Sequence, residues 1–311
     1  MNTPIANRFP PSASDAWSRW LLHLRHGGDE EYRRKIQKQL NQYANRVLDG
    51  ARLGPGMTLA DVGCGEGLIG FGAIDRIGES LNVILTDISE PMIAHTQALA
   101  MQRGVLKQCR FVQCTADDLA AIPSSSVDVV ATRAVLAYVT DKNKALREFF
   151  RILKPGGRIS LAEPIFQDEA FAACALRAMV SGEMAAANDP FRALLHRWKA
   201  AQFPDTQEQV LANPLTGFSE RTLFEMVRLT EFAPIHAELH MDFDRSDITS
   251  WEVFLGSCPH PWAPSLRDIF ALQFSPQEQQ YFEQIMRPLV ESGQASSTSR
   301  TVYIAAEKPL P

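Results

Sequence analysis

The sequence predicts an α/β fold: a doubly wound, mostly parallel sheet preceded by N-terminal helices and followed by a helical cover. Three observations carry this expectation. Between Met57 and Pro164, short apolar runs alternate with longer amphipathic stretches, as in a parallel sheet covered on both faces. The apolar runs are too short for membrane spans and too continuous for half-exposed strands, as when both faces of a strand are buried. The first run passes into the first helix through a glycine-rich turn, Asp61-Val62-Gly63-Cys64-Gly65-Glu66-Gly67.

Size and charge set the outer bounds. A chain of 311 residues is long enough for a full α/β domain with additions, or for two small domains. Its hydrophobic content of 45% and charged content of 22% are ordinary for a globular protein. A net charge of −5 disfavours a broad nucleic-acid surface, which needs clustered Lys and Arg to neutralise phosphates. No run reaches the roughly 20 apolar residues that cross a bilayer, and the first residues lack the basic start and apolar stretch of a signal peptide. Five cysteines, Cys64, Cys109, Cys114, Cys174 and Cys258, fall at irregular spacings without a C-x-x-C pair. Reduced thiols in a cytoplasmic protein are therefore expected, with neither a disulfide framework nor a metal site.

Element by element, residues 1–15 read as a loose arm rich in Pro, Ser, Asn and Thr. A helix from Asp15 to about Arg25 places Trp17, Trp20, Leu21 and Leu24 on one face, and Gly27-Gly28 breaks it. Asp29 caps a second helix running to about Ala51, with Glu30 and Glu31 favoured in its first turn by the helix dipole. Strands are expected at 57–62, 82–86, 109–113, 127–132 and 157–162. Helices are expected between them at about 67–78, 90–103, 116–120 and 141–152. Lys154-Pro155-Gly156-Gly157 reads as a tight turn before the fifth strand. Residues 166–229 read as helices, with breaks at Asn188-Asp189-Pro190, Pro204 and Asn213-Pro214. Two late strands follow, at about 233–243 and 299–306. Between them a helix starts near Ser275-Pro276-Gln277-Glu278, where Ser275 and Glu278 form a capping box. The implied organisation is an N-terminal part (1–55), a nucleotide-type core (56–164), a helical cover (165–230) and a last segment (231–311).

The chemistry concentrates at strand ends. Glycines in the Asp61–Gly67 loop let the backbone turn sharply and approach a ligand, and free amides at the helix start favour negative charge. Gly65-x-Gly67-x-x-Gly70 by itself matches a dinucleotide fingerprint. Gly63 and Asp61 precede that pattern, and Asp61 stands where a carboxylate serves a cationic amino group. Asp87 ends the second strand about 20 residues past the glycines, where a carboxylate accepts ribose hydroxyls.

This combination resembles the class I S-adenosylmethionine-dependent methyltransferases of the small-molecule type. The resemblance covers residues 57–164 with five motifs in order: the DxGxGxG loop, the Asp87 strand end in VILTDIS, CTADDL, VDVVATRAVLAYV and RILKPGGRISLAEP. It implies a Rossmann-like sheet of seven strands whose last strand is antiparallel. It further implies S-adenosyl-L-methionine as cofactor and S-adenosyl-L-homocysteine as product. The implied cofactor residues are Asp61, Gly63, Cys64, Gly65 and Gly67 around the methionine moiety. Asp87, with Ile88 and Met92 after it, falls at the ribose, and Ala116 and Asp117 at the adenine. The roughly 55 residues between the two late strands exceed the short turn of many relatives, so about 245–297 reads as an insertion.

Three further positions stand apart from the motifs. Arg133, after the fourth strand, either orients the cofactor carboxylate or an anionic substrate, or forms a salt bridge with Glu163 or Asp61. Glu163, at the carboxyl end of the fifth strand, is a candidate for substrate contact and general base chemistry, with helix capping or an Arg pair as the alternative. Arg25 or His26, beside Gly27-Gly28, is a candidate cofactor contact, since N-terminal helices in the resembled family often close over the cofactor. His236 and His240 share a strand face roughly 13 Å apart, and a core or surface role fits them better than base chemistry. His260 lies in a rigid Cys-Pro-His-Pro-Trp loop that could border a pocket. Phe166, Phe171, Met179, Met184, Phe191, Trp198 and Phe203 either line an apolar acceptor site or pack the added helices.

A small-molecule methyl acceptor is therefore the expected partner, with neither nucleic acid nor membrane, and the added helices leave room for a homodimer. Two other readings remain: a non-catalytic relative that keeps the cofactor site, and an NAD(P)-dependent oxidoreductase resting on Gly65-x-Gly67-x-x-Gly70.

Overall fold

The computed structural model describes residues 15–181 and 189–311. The expected terminal arm, together with Met184 and Asn188, lies outside them. The described chain forms two compact units. One comprises residues 15–36, Glu169–Gln209 and Asp244–Ser297; the other comprises Gln37–Asp168, Val210–Phe243 and Thr298–Pro311.

Helix α1 (Ala16–Leu22) starts at Asp15, whose side chain accepts the Ser18 amide at 2.8 Å. It is shorter than expected, because a single 3-10 turn, Leu24–His26, takes over before Gly27 and Gly28 enter left-handed backbone. Helix α2 (Glu30–Ala51) follows, with the Tyr32 amide donating to Asp29 at 2.7 Å. Strand β1 (Thr58–Val62), helix α3 (Leu68–Ile77), strand β2 (Asn82–Asp87), helix α4 (Glu90–Gln102) and strand β3 (Cys109–Gln113) form the first half of the sheet. Strand β4 (Val127–Arg133), helix α5 (Lys142–Ile152) and strand β5 (Leu153–Pro164) continue it. The remaining elements are α6 (Gln167–Ser181), α7 (Pro190–Gln202), α8 (Gln207–Ala212), α9 (Glu220–Leu229), β6 (Ile235–Arg245), α10 (Trp251–Gly256), α11 (Leu266–Gln273), α12 (Pro276–Glu291) and β7 (Ser296–Glu307).

The sheet has seven strands in the order β3-β2-β1-β4-β5-β7-β6. Strands β1 to β5 pair in parallel and β7 runs antiparallel to β5, from Arg158 opposite Glu307 to Pro164 opposite Thr301. This is the expected doubly wound sheet with an antiparallel last strand. Leu59, Ala60, Val129, Val130 and Ile159 are buried, as both-face coverage requires.

Three expectations need correction. Residues 116–120 form turns instead of a short helix. Side chains of α5 take the backbone groups that a helix would pair. Glu148 accepts the Leu119 amide at 2.8 Å, while Arg151 donates to the Leu119 and Ile122 carbonyls at 2.9 and 3.0 Å. The Lys154–Gly157 turn lies inside β5, not ahead of it. Leu153 already pairs with Val127, and the register shifts before Arg158 meets Val129. Between the late strands there are three helices where one was expected. Ser250 and Ser265 cap α10 and α11 as Ser275 caps α12, but the first two are too short to show a clear period.

The helical unit has its own core. Phe282 is fully buried with its ring against Phe191, Trp198, Phe270 and Phe274, and Ile269 and Val290 complete the packing.

Candidate functional site

The parallel register brings Asp61, Asp87, Arg133 and Glu163 to the carboxyl ends of β1, β2, β4 and β5. Asp61 lies beside Leu85 of β2 and Ala131 of β4, and Arg133 beside Ala162 of β5. Ligands of open α/β sheets bind along this edge, where helix N-termini and loops face away from the strands.

The glycine loop is held tightly. Gly63, Gly65 and Gly67 all adopt left-handed backbone, with φ of 68°, 51° and 77°. At Gly63 a Cβ would also collide with the side chain of Val135, so both backbone and space demand glycine there. The Cys64 amide donates to the Thr86 carbonyl at 2.8 Å, the Gly67 amide donates to the Cys64 carbonyl at 2.7 Å, and the Thr96 hydroxyl donates to the Gly65 carbonyl. Cys64 and Met92 are buried, and burial pushes the Cys64 thiol well up, so it is no ready nucleophile.

Two carboxylates bracket the loop. Asp61 is only 1% exposed and accepts the Gly70 amide at 2.8 Å. Burial pushes its carboxyl up to about 7, the amide bond opposes this, and the charge of Asp87 adds to the rise. Among the described residues no side-chain cation forms an ion pair with Asp61. Asp87 accepts the Gly65 amide on one oxygen and the Ser89 amide on the other, both at 2.9 Å. Ionised carboxylate oxygens accept further donors, so hydroxyls can add to these bonds. Next to Asp87, Ile88 is 50% exposed, an apolar side chain held out at the strand end. The Cys114 amide donates to the Asp87 carbonyl at 3.0 Å and keeps β3 in step. Beyond it Ala116 is buried, and Asp117 is half-buried with Lys144 3.7 Å away.

Arg133 and Glu163 are neighbours in the sheet with different environments. The Arg133 guanidinium is half-buried and lies 5.1 Å from the ring centre of Tyr43 on α2. Burial lowers its affinity for the proton, partly offset by Tyr43, Tyr138 and Glu163. Among the described residues it forms no ion pair with Glu163 or Asp61. Glu163 is fully buried. Its carboxylate accepts the Thr132 hydroxyl at 2.9 Å, the Val135 amide at 3.0 Å and the Ala137 amide at 3.1 Å. Burial raises its pKa against the lowering effect of these donors. The geometry makes Glu163 the anchor of the 134–138 turn, and that turn sets Val135 against Gly63.

Other sequence candidates belong to other elements. Arg25 belongs to the helical unit, with its guanidinium 5.6 Å from the Trp20 ring centre. His26, in the same unit, is buried, hydrogen-bonded to the Leu22 carbonyl at 3.0 Å, and lowered in pKa by burial. Gly27 does make a close backbone approach, to Val253. His260 is buried and bonded to the Gln202 carbonyl at 2.8 Å; burial pulls it down to about 4, which keeps it neutral. His236 and His240 both bond to Glu238, at 2.9 and 3.0 Å, on one face of β6.

Several site features escaped sequence reasoning. Ser89 is fully buried and caps α4 through the Met92 amide, a role legible in Ser89-Glu90-Pro91. Thr96, one α4 turn further on, carries no sequence signal for its bond to Gly65. Tyr138-Val139-Thr140-Asp141-Lys142 has the Tyr-x-x-x-Lys spacing of some nicotinamide-dependent reductases. The Lys142 ammonium, however, donates to the Val139 and Pro214 carbonyls at 2.9 and 2.7 Å and lies 4.6 Å from the Phe218 ring centre. Those bonds commit it to joining α5 to the chain before α9.

A family described as a methyltransferase domain matches residues 53–212, about half of the chain. Nocamycin O-methyltransferase of Saccharothrix syringae is 38% identical over 122 residues, covering 39% of this chain and 43% of that protein. A ubiquinone/menaquinone biosynthesis C-methyltransferase of Vibrio vulnificus is 37% identical over 120 residues, covering 38% of this chain and 45% of that protein. The chain thus matches less than half the length of these curated relatives. Among solved structures, the YcgJ protein of Bacillus subtilis aligns with a TM-score of 0.53 at 18% identity, over 87% of this chain and 99% of that one. A candidate sarcosine dimethylglycine methyltransferase of Galdieria sulphuraria aligns with a TM-score of 0.53 at 14% identity, over 95% and 99% of the two chains. At these identities the structural matches speak for the fold.

Proposed function

Since the chain belongs to the methyltransferase-domain family, we propose that it transfers a methyl group from S-adenosylmethionine to an oxygen, nitrogen or carbon atom of a small organic molecule. The observation that carries this reading is the pair of buried carboxylates, Asp61 and Asp87, on either side of a left-handed glycine loop. A buried acid without a side-chain cation is costly unless protonated or matched by a cationic ligand. A donor bearing an ammonium group and a ribose fits this set: Asp61 for the positive charge, Asp87 for the hydroxyls. Ile88 and Asp117 would flank the adenine, an apolar side chain on the ring and a carboxylate for its amino group. The residues present therefore fit the cofactor.

When bound, the cofactor would supply a methyl group already activated by its sulfonium. The chain's own task would then be alignment and exclusion of water. The glycine loop, pinned by Thr86, Asp87 and Thr96, would orient the donor. Glu163 would act indirectly, by holding the turn that packs Val135 on Gly63. Arg133, half-buried over Tyr43, is the site's charged group best suited to an anionic portion of donor or acceptor. The relatives named above, a nocamycin O-methyltransferase and a ubiquinone/menaquinone biosynthesis C-methyltransferase, support a small organic acceptor. Arg25 is proposed to contact the cofactor. Cysteines that are all free support a reducing, cytoplasmic setting.

Calorimetric titration with S-adenosylmethionine and, separately, NADPH tests the donor. Saturable binding of the first alone is the expected outcome, and NADPH binding without S-adenosylmethionine binding would overturn the proposal. Transfer of radiolabelled methyl into a small-molecule extract then separates an enzyme from a binder.

A further inference from the structure

Strand β6 ends the sheet, and among the described residues no strand neighbours its outer backbone edge. Long native edges are usually blunted by Lys, Pro or a bulge. Residues 235–243, Ile-His-Ala-Glu-Leu-His-Met-Asp-Phe, contain neither Lys nor Pro. Their side chains alternate strictly. Ile235, Ala237, Leu239, Met241 and Phe243 share one face, where Leu239 is 41%, Met241 58% and Phe243 77% exposed. His236, Glu238, His240 and Asp242 share the other.

The backbone alternates as well. The Glu307 amide donates to the Pro234 carbonyl at 3.2 Å, so position 234 faces β7. The amides and carbonyls of 235, 237, 239, 241 and 243 therefore point to the open edge.

We propose that this edge pairs antiparallel with β6 of a second copy, on a two-fold axis through Leu239. In that register every opposed pair is complementary. Leu239 meets the partner's Leu239, Ala237 the partner's Met241, and Ile235 the partner's Phe243. On the other face His236 meets the partner's Asp242 and Glu238 the partner's His240. Registers centred one residue to either side, or two residues further on, bring like charges together. An axis on His240 sets Glu238 against the partner's Asp242, one on Met241 sets it against the partner's Asp244, and one on Glu238 sets it against itself. The Leu239 register also bonds the outward-facing backbone groups. The contact is isologous and consumes the edge, so assembly stops at two copies.

Sedimentation of the full chain over a concentration series tests this, with circular dichroism to confirm that each variant is folded. A dimer is expected. Leu239→Lys should give a monomer, because two ammonium groups would meet at the axis. His236→Asp should weaken the dimer, and His236→Asp combined with Asp242→Lys should restore it. Under oxidation, Leu239→Cys should cross-link two copies whereas Ala237→Cys and Met241→Cys should not. A wild-type monomer throughout would overturn the proposal and leave the edge to a strand of a different protein. A dimer indifferent to Leu239→Lys would overturn it too, and cross-linking at 237 or 241 instead would overturn the register.

Discussion

The proton on Asp61 links the buried site to measurable stability. Its carboxyl is raised from 3.8 to about 7 in the folded protein. Between those values the folded chain holds a proton that the unfolded chain has lost. This contribution to stability is therefore full below pH 3.8 and is lost as pH rises through 7. Asp61→Asn keeps an acceptor for the Gly70 amide and removes the ionisation. Urea midpoints of this variant should fall less than the wild type's between pH 4 and 7, and parallel curves would contradict the assignment. Asp87 makes a separate case, because its bonds to Gly65 and Ser89 shape the loop while its carboxylate is also proposed to accept ribose hydroxyls. Asp87→Asn should weaken S-adenosylmethionine binding by roughly tenfold or more, since a charge-assisted hydrogen bond is worth about 1.5–3 kcal/mol. Titration of the folded variant reads this directly, and an unchanged Kd would move the ribose elsewhere. Asp61, Asp87 and the glycines were legible because their spacing repeats a known pattern. Thr96 was not, since its bond to Gly65 exists only once α4 packs beside the loop.

At the scale of elements, the turn after β4 depends on β5 for its shape. Glu163 gathers the Thr132 hydroxyl of β4 and two amides from that turn, and a glutamine in its place would turn an N–H₂ group toward donors. Glu163→Gln is expected to cost about 1–3 kcal/mol in urea unfolding, the range for buried donors left unsatisfied. The pH–rate profile should keep its shape if Glu163 positions the turn, whereas a general base would take its ionisation out of the profile. The sequence placed Glu163 correctly at the strand end but left open substrate contact, capping and an Arg pair. Its bonds to Thr132, Val135 and Ala137 depend on three-dimensional neighbours. The expected helix at 116–120 failed for a related reason: Glu148 and Arg151 claim its backbone groups from another element, and no local propensity records that competition.

For the whole molecule, the sheet unit and the helical unit each bury their own cluster. Leu59, Leu85, Val129 and Ala162 belong to the first; Phe282, Ile269, Phe270 and Trp251 belong to the second. Phe282→Ala should destabilise the helical unit by about 3–5 kcal/mol. Hydrogen exchange should show lost protection in α7, α11 and α12 while β1, β4 and β5 keep theirs. Equal loss across both units would mean that they unfold as one. The sequence by itself determined the order of the five parallel strands with α3, α4 and α5, the glycine loop and the acids beside it. These rest on periodicity and spacing, which are properties of neighbouring residues. Only the tertiary structure decided that Asp61 is a buried acid, that Glu163 anchors a turn, that Lys142 is committed to carbonyls, and that an apolar row lines the open edge of β6. Burial and hydrogen-bond partnership depend on residues far apart in the chain, and sequence spacing carries no record of them.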